Sequence, residues 1–122
     1  MVGLLVALGG GIGGLARYGL DGAVASRQRS PFPFGTLIIN VSGSAALGAL
    51  VALLSRGILS PTLEAWVGTG VVGGYTTFST FTYETVRLLE DGAWRDALAN
   101  VALSGPLSFA AAGTTFLLLR GR

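Results

Sequence analysis

From Ala65 to Tyr83 the chain carries no charged side chain, a length close to the roughly 20 residues a helix needs to cross a bilayer. Yet this stretch reads as a poor continuous helix. Gly70, Gly73 and Gly74 interrupt it, and β-branched Thr76 and Thr77 follow at once; each glycine costs roughly 1 kcal/mol against alanine in a helix interior. Non-helical backbone at membrane depth survives only where it is buried in protein or lines a polar cavity. The segment therefore predicts a helix broken in mid-membrane, at a functional site. Just past the break, Phe78 and Phe81 stand at i and i+3 on one face, with Ser79 and Thr80 turned away from it.

The rest of the composition agrees with a membrane setting. Of 122 residues, 51% are hydrophobic and 11% charged, with a mean hydropathy of +0.67; a soluble domain has about 25% charged residues. Twenty glycines suit membrane helices that pack through small residues. Cysteine and histidine are absent, which excludes disulfides, Cys or His metal sites, and catalysis by either residue. The net charge of +2 rests on scattered arginines, without a lysine, so no basic patch points to nucleic acid.

Four apolar segments follow in order, at about 2–24, 32–55, 62–90 and 94–119, and they read as one all-α domain over residues 1–122. The first has no charge until Arg17 and no basic n-region, so it reads as a span and not a signal peptide. Its Gly10 and Gly14 form a GxxxG pair, predicted to be the face of close helix contact. The second is uncharged throughout, holds Asn40, and offers Ser44 and Gly48 as a small-xxx-small pair. In the third, Trp66 stands like an interfacial anchor, and Glu84, Arg87, Glu90 and Asp91 mark the exit into water. The fourth carries Asn100, Ser104 and Ser108 at i, i+4 spacing, read as a single polar stripe, and Pro106, which should kink it mildly.

Four spans put both termini on one side. That side then holds Arg56, Arg120 and Arg122, and the other Arg27, Arg29, Arg87 and Arg95, with Arg17 left inside the membrane. Orientation needs an arginine or lysine asymmetry, and this one is nearly nil. Insertion in both orientations is expected, and with it an antiparallel, dual-topology dimer.

Each polar feature has a plain reading and a functional one. Phe78 and Phe81 either pack or present positive ring edges to an anion. Asn40 either bonds a neighbouring helix or donates its amide to a passing ion. The Asn100, Ser104 and Ser108 stripe is either interhelical glue or a track of donors. Arg17 either snorkels to the interface or lends positive potential to an anion entrance. Unwound carbonyls at mid-membrane are a recurring cation site, and oxygen ligands suit a hard ion. No intramembrane carboxylate, which a proton-coupled pump would be expected to carry, is evident. Neutral donors, aromatic edges and one arginine suit a small anion that crosses without being trapped.

Three blocks carry a family resemblance: GGGIGGLARY at Gly9–Tyr18, FGTLIINVSGSAALG at Phe34–Gly48 and GVVGGYTTFSTFTYE at Gly70–Glu84. They resemble the signature blocks of the Fluc/CrcB fluoride channels, along essentially the whole chain. The resemblance implies dual-topology dimers in the inner (plasma) membrane, two antiparallel fluoride pores and one central structural sodium ion. It implies that backbone carbonyls of Gly73 and Thr76 from both subunits hold the sodium. It implies an ion pathway of Asn40, Phe78, Phe81, Thr80, Ser104 and Ser108, with Arg17 structural or vestibular. Asn100 departs from the family, taking a track position that is often tyrosine; Pro106 departs as well.

The implied function is passive fluoride export, without enzymatic chemistry. Three rivals stand beside it. A small dual-topology multidrug exporter would need a glutamate in its first helix, and Val2–Ala16 has no acidic residue. A non-transporting membrane scaffold would leave the broken helix unexplained. An intramembrane enzyme would lack His, Cys and an intramembrane acid.

Overall fold

The computed structural model describes residues 1–121 and is helical, without strands among them; Arg122, one of the terminal-side arginines, lies outside the described residues. Helix α1 spans Val2–Ala25, α2 Phe34–Ser55 and α6 Trp94–Arg120; these three are long and apolar enough to cross a membrane. Between α2 and α6 lies the interrupted segment: α3 (Pro61–Glu64), a π-helical stretch (Ala65–Val72), α4 (Gly73–Tyr75) and α5 (Ser79–Glu90). Ser60 starts it as an N-cap, its hydroxyl accepting from the Leu63 amide at 3.2 Å, with Pro61 at the first helical position.

The chain does break inside this segment, but not at its glycines. Helical backbone continues through Gly73 and Gly74 and stops at Thr76, which is extended (φ −74°, ψ 158°), and α5 begins at Ser79. The glycines answer a different demand, namely close approach to α1. A Cβ on Gly70 would crowd the backbone of Val6 and Gly9, and one on Gly74 would overlap the backbone of Gly10. From the other side, a Cβ on Gly9 or Gly13 would collide with backbone of the π-helical stretch. Such contacts leave no flexible side chain to give way, so the close approach of α1 requires glycine at these positions. The α1 face is thus Gly9 and Gly13, with Gly10 at its edge, one residue off the predicted Gly10/Gly14 pair. Gly14 has open space where a side chain would stand.

Helices α2 and α6 form the other tight pair. Gly48 admits the Ala112 carbonyl and the Thr115 side chain of α6, and the Thr115 hydroxyl donates to the Ala45 carbonyl at 2.8 Å. The small-xxx-small pair divides its work: Gly48 makes this contact, whereas Ser44 faces a cleft. Helix α6 stays unbroken through Pro106. Helices α2 and α5 end in the same device. Gly57 (φ 69°) and Gly92 (φ 76°) take the left-handed conformation, and the next amides bond back to Leu53 and Leu88 at 3.0 and 2.8 Å. That is the Schellman closure, which glycine adopts without a Cβ penalty.

Little apolar bulk is enclosed. Leu4, Leu8, Ile12 and Leu15 on α1 and Leu98, Phe109 and Leu117 on α6 all face outward. An apolar exterior over helices held by glycine and hydrogen bonds is what a lipid solvent requires.

Candidate functional site

The break is held open by one side chain. In an uninterrupted helix the Thr77 amide would donate to the Gly73 carbonyl, and the Thr80 amide to the Thr76 carbonyl. Here Thr77 N–H donates instead to Asn40 Oδ1 at 2.8 Å, while Asn40 Nδ2 donates to the Thr77 carbonyl at 2.8 Å. The carboxamide of Asn40 thus pairs with both polar groups of one buried residue, replacing the helix partners that the break removes. Next, Thr77 Oγ1 accepts from the Thr80 amide at 3.2 Å and caps the new helix α5. These two diversions release the Gly73 and Thr76 carbonyls from their helical partners. They are the two positions expected to hold a cation, and carbonyl oxygens are ligands of the kind a hard ion takes.

Arg17 reaches the same place. Its Nη1 donates to the Thr76 carbonyl at 3.4 Å, so the guanidinium of α1 lies beside the break. The partial burial of Arg17 and this long bond put the positive charge against one of the released carbonyls.

An open cleft of about 860 Å³ lies beside the break. Asn40 lines it from α2, Gly73, Thr76, Phe78 and Phe81 from the broken segment, and Ser104 and Ser108 from α6. The rings of Phe78 and Phe81 are 5.9 Å apart with planes tilted by 40°, an aromatic pair on the wall of the cleft. Phe78 is exposed and Phe81 half-buried. Thr80 and Arg17 do not line the cleft. The Thr80 hydroxyl instead accepts from Thr77 Oγ1 at 3.0 Å.

The predicted polar stripe of α6 divides. Ser104 and Ser108 face the cleft, but Asn100 is fully buried behind them and bonds Thr85 of α5 at 2.9 Å. The reason is geometric: i, i+4 positions drift around a helix of 3.6 residues per turn, and α5 covers one end of the stripe.

Two acids lie where none was expected. Asp21 falls inside α1, and its carboxylate fills the space against Gly35 of α2. Glu84 does not mark an exit into water; it is half-buried in α5, facing Thr36 and Asp21. Thr36 is near the Glu84 carboxylate without reaching hydrogen-bond geometry, and Thr36 Oγ1 and Glu84 Oε2 are both buried and unpartnered. Reading Glu84 with its charged followers Arg87, Glu90 and Asp91 concealed this. Its i, i−3 relation to Phe81, on the face that turns inward, is the signal that separates it from them.

Asn40 allows a direct check of the break. Asn40→Leu leaves the Thr77 N–H and carbonyl unpaired in a buried place, and should destabilise the protein by about 2–4 kcal/mol. Ser44→Ala, on the same helix and in the same cleft, should stay within about 0.5 kcal/mol. Thermal unfolding in detergent measures both.

Residues 4–116 match the family described as CrcB-like protein, Camphor Resistance (CrcB). The fluoride-specific ion channel FluC of Shewanella frigidimarina is 48% identical over 101 residues, covering 83% of this chain and 82% of that protein. The fluoride-specific ion channel FluC of Sorangium cellulosum is 47% identical over 100 residues, covering 81% of this chain and 79% of that one. The family match spans all three signature blocks and every residue of the cleft, and so this chain belongs to the CrcB family.

Proposed function

We propose that the chain is a fluoride-selective passive channel that exports cytoplasmic fluoride across the inner membrane. The observation that carries this reading is the convergence on one cleft of Asn40, Phe78, Phe81, Ser104 and Ser108, from three separate helical segments, in a chain whose relatives are named fluoride-specific ion channels. Amide and hydroxyl protons with aromatic edges give a small anion neutral partners. These replace part of its hydration without the strong binding that would prevent exit.

In this reading the broken segment Pro61–Glu90 makes a fourth crossing, which puts both termini on one side. Near-balanced arginines then allow both orientations, and two copies assemble antiparallel with one cleft on each completing a pore. The exposed Phe78 and Phe109 beside the cleft suit cover by a second copy. The released Gly73 and Thr76 carbonyls of both copies would hold a central sodium ion, which ties the two breaks together. Replacing sodium by a bulky organic cation should therefore lower the thermal stability of the purified dimer; equal stability in both would contradict the sodium site.

Export follows from charge. Hydrogen fluoride crosses membranes as a neutral acid and ionises in a more alkaline cytoplasm, which traps the anion. An inside-negative potential drives it out through an open path, at about 2.3 kcal/mol per 100 mV.

Replacing Phe78 and Phe81 together by isoleucine keeps apolar bulk and removes both ring edges. Fluoride efflux from proteoliposomes should fall to background while the crosslinked dimer persists. Efflux equal to the wild type would contradict the pore assignment.

A further inference from the structure

Behind the cleft, four groups form a directed hydrogen-bond chain. Ser104 Oγ donates to Asn100 Oδ1 at 3.0 Å, Asn100 Nδ2 donates to Thr85 Oγ1 at 2.9 Å, and Thr85 Oγ1 donates to the Phe81 carbonyl at 2.8 Å. Asn100 is fully buried, and Ser104 is buried but lines the cleft. A hydroxyl has one proton, and the proton of Ser104 is taken by Asn100. In this arrangement Ser104 therefore offers the cleft lone pairs, the wrong polarity for an anion.

We infer that Asn100 is a positioning residue whose carboxamide reverses this chain, so that Ser104 turns from acceptor to donor when an anion arrives. The inference rests on the reading of the cleft as an anion route. A carboxamide has a nitrogen and an oxygen at nearly equivalent positions, exchanged by a half-turn of its terminal torsion. After that turn Nδ2 donates to Ser104 Oγ, and Oδ1 accepts from Thr85 Oγ1. The Phe81 carbonyl loses the threonine hydroxyl but keeps the helical amide of Thr85. The proton of Ser104 is then free for the cleft. Without an anion that proton lacks a partner, and the first direction is preferred. With one, every group is paired only in the second.

A rotation of the Ser104 hydroxyl alone would not serve as well. It would leave Asn100 Oδ1 unpaired with no access to water, which costs the desolvation of a buried acceptor. The reversed chain also strengthens the new donor, because an N–H bonded to the Ser104 oxygen polarises its O–H. Few side chains can reverse in this way at the position. A carboxylate accepts twice, and an apolar residue does neither.

The test compares Asn100→Asp with Asn100→Leu in fluoride efflux per folded dimer. In an assay at alkaline pH, where the buried acid is ionised, the carboxylate holds the Ser104 proton, so Asn100→Asp should lose about tenfold or more. Asn100→Leu frees the hydroxyl and should lose less, although it is the less stable protein. A purely structural role predicts the reverse, with Asn100→Leu the more damaged in efflux, and that result would overturn the inference. Negative charge alone is separated by a double-mutant cycle: in a Ser104→Ala background, Asn100→Asp should cause no further loss, and a further loss as large as in the wild type would overturn the inference. On the wild-type protein, the side-chain amide resonances of Asn100 should shift with fluoride and not with chloride, and Ser104→Ala should abolish the shift. Unmoved resonances in a protein that conducts fluoride would overturn the inference and leave the channel reading standing. A wild type that conducts no fluoride would overturn the channel reading itself.

Discussion

The paired hydrogen bonds between the Asn40 carboxamide and the backbone of Thr77 are the contact on which the rest depends. A helix interrupted inside a protein has to satisfy its freed amides and carbonyls from other groups. Asn40 does this for Thr77 from another helix, with both bonds at 2.8 Å. One residue thereby ties α2 to the break and orients α5. It also takes from the Gly73 carbonyl the amide that a helix would have given it. The Thr77 hydroxyl does the same for the Thr76 carbonyl by capping Thr80. The break is a consequence of side chains that outcompete the helix.

Glycine supplies the frame around this contact. Gly9 and Gly13 of α1 and Gly70 and Gly74 of the broken segment approach so closely that backbone meets backbone. The wide π-helical turn from Ala65 to Val72 follows the same surface, and such turns recur at functional sites. The close approach brings Arg17 within 3.4 Å of the Thr76 carbonyl. The packing of α1 therefore decides what charge lies beside the break. Few large apolar side chains are enclosed, so the precision of the site comes from glycine contacts and hydrogen bonds.

The sequence disclosed the helical class, the interrupted segment and the aromatic pair, because each is local: a charge-free run, a glycine cluster, an i, i+3 spacing. The place of the break was harder. The glycines and the two threonines after them bracketed the break up to Thr77; within that bracket tertiary packing on α1 kept Gly73 and Gly74 helical, and the helix ended where Asn40 could reach Thr77, 37 positions away in sequence. The glycine face of α1 came out one residue off for a similar reason, since GxxxG spacing fits Gly9/Gly13 as well as Gly10/Gly14. Asn100 takes the interhelical reading of the stripe, bonding Thr85 of α5, whereas Glu84 misleads because it precedes charges that face water. The packing of α5 on α6 separates Asn100 from the serines, and the turn of α5 toward Thr36 and Asp21 separates Glu84 from the charges after it.

What ties these features to transport is selectivity. Purified protein in liposomes, given the same potential and either fluoride or chloride inside, measures it directly. Fast fluoride release with chloride retained is the predicted result, and it requires the chain to suffice as its own partner. Equal release of both anions, or none from well-folded protein, would contradict a fluoride-selective channel built by this chain alone.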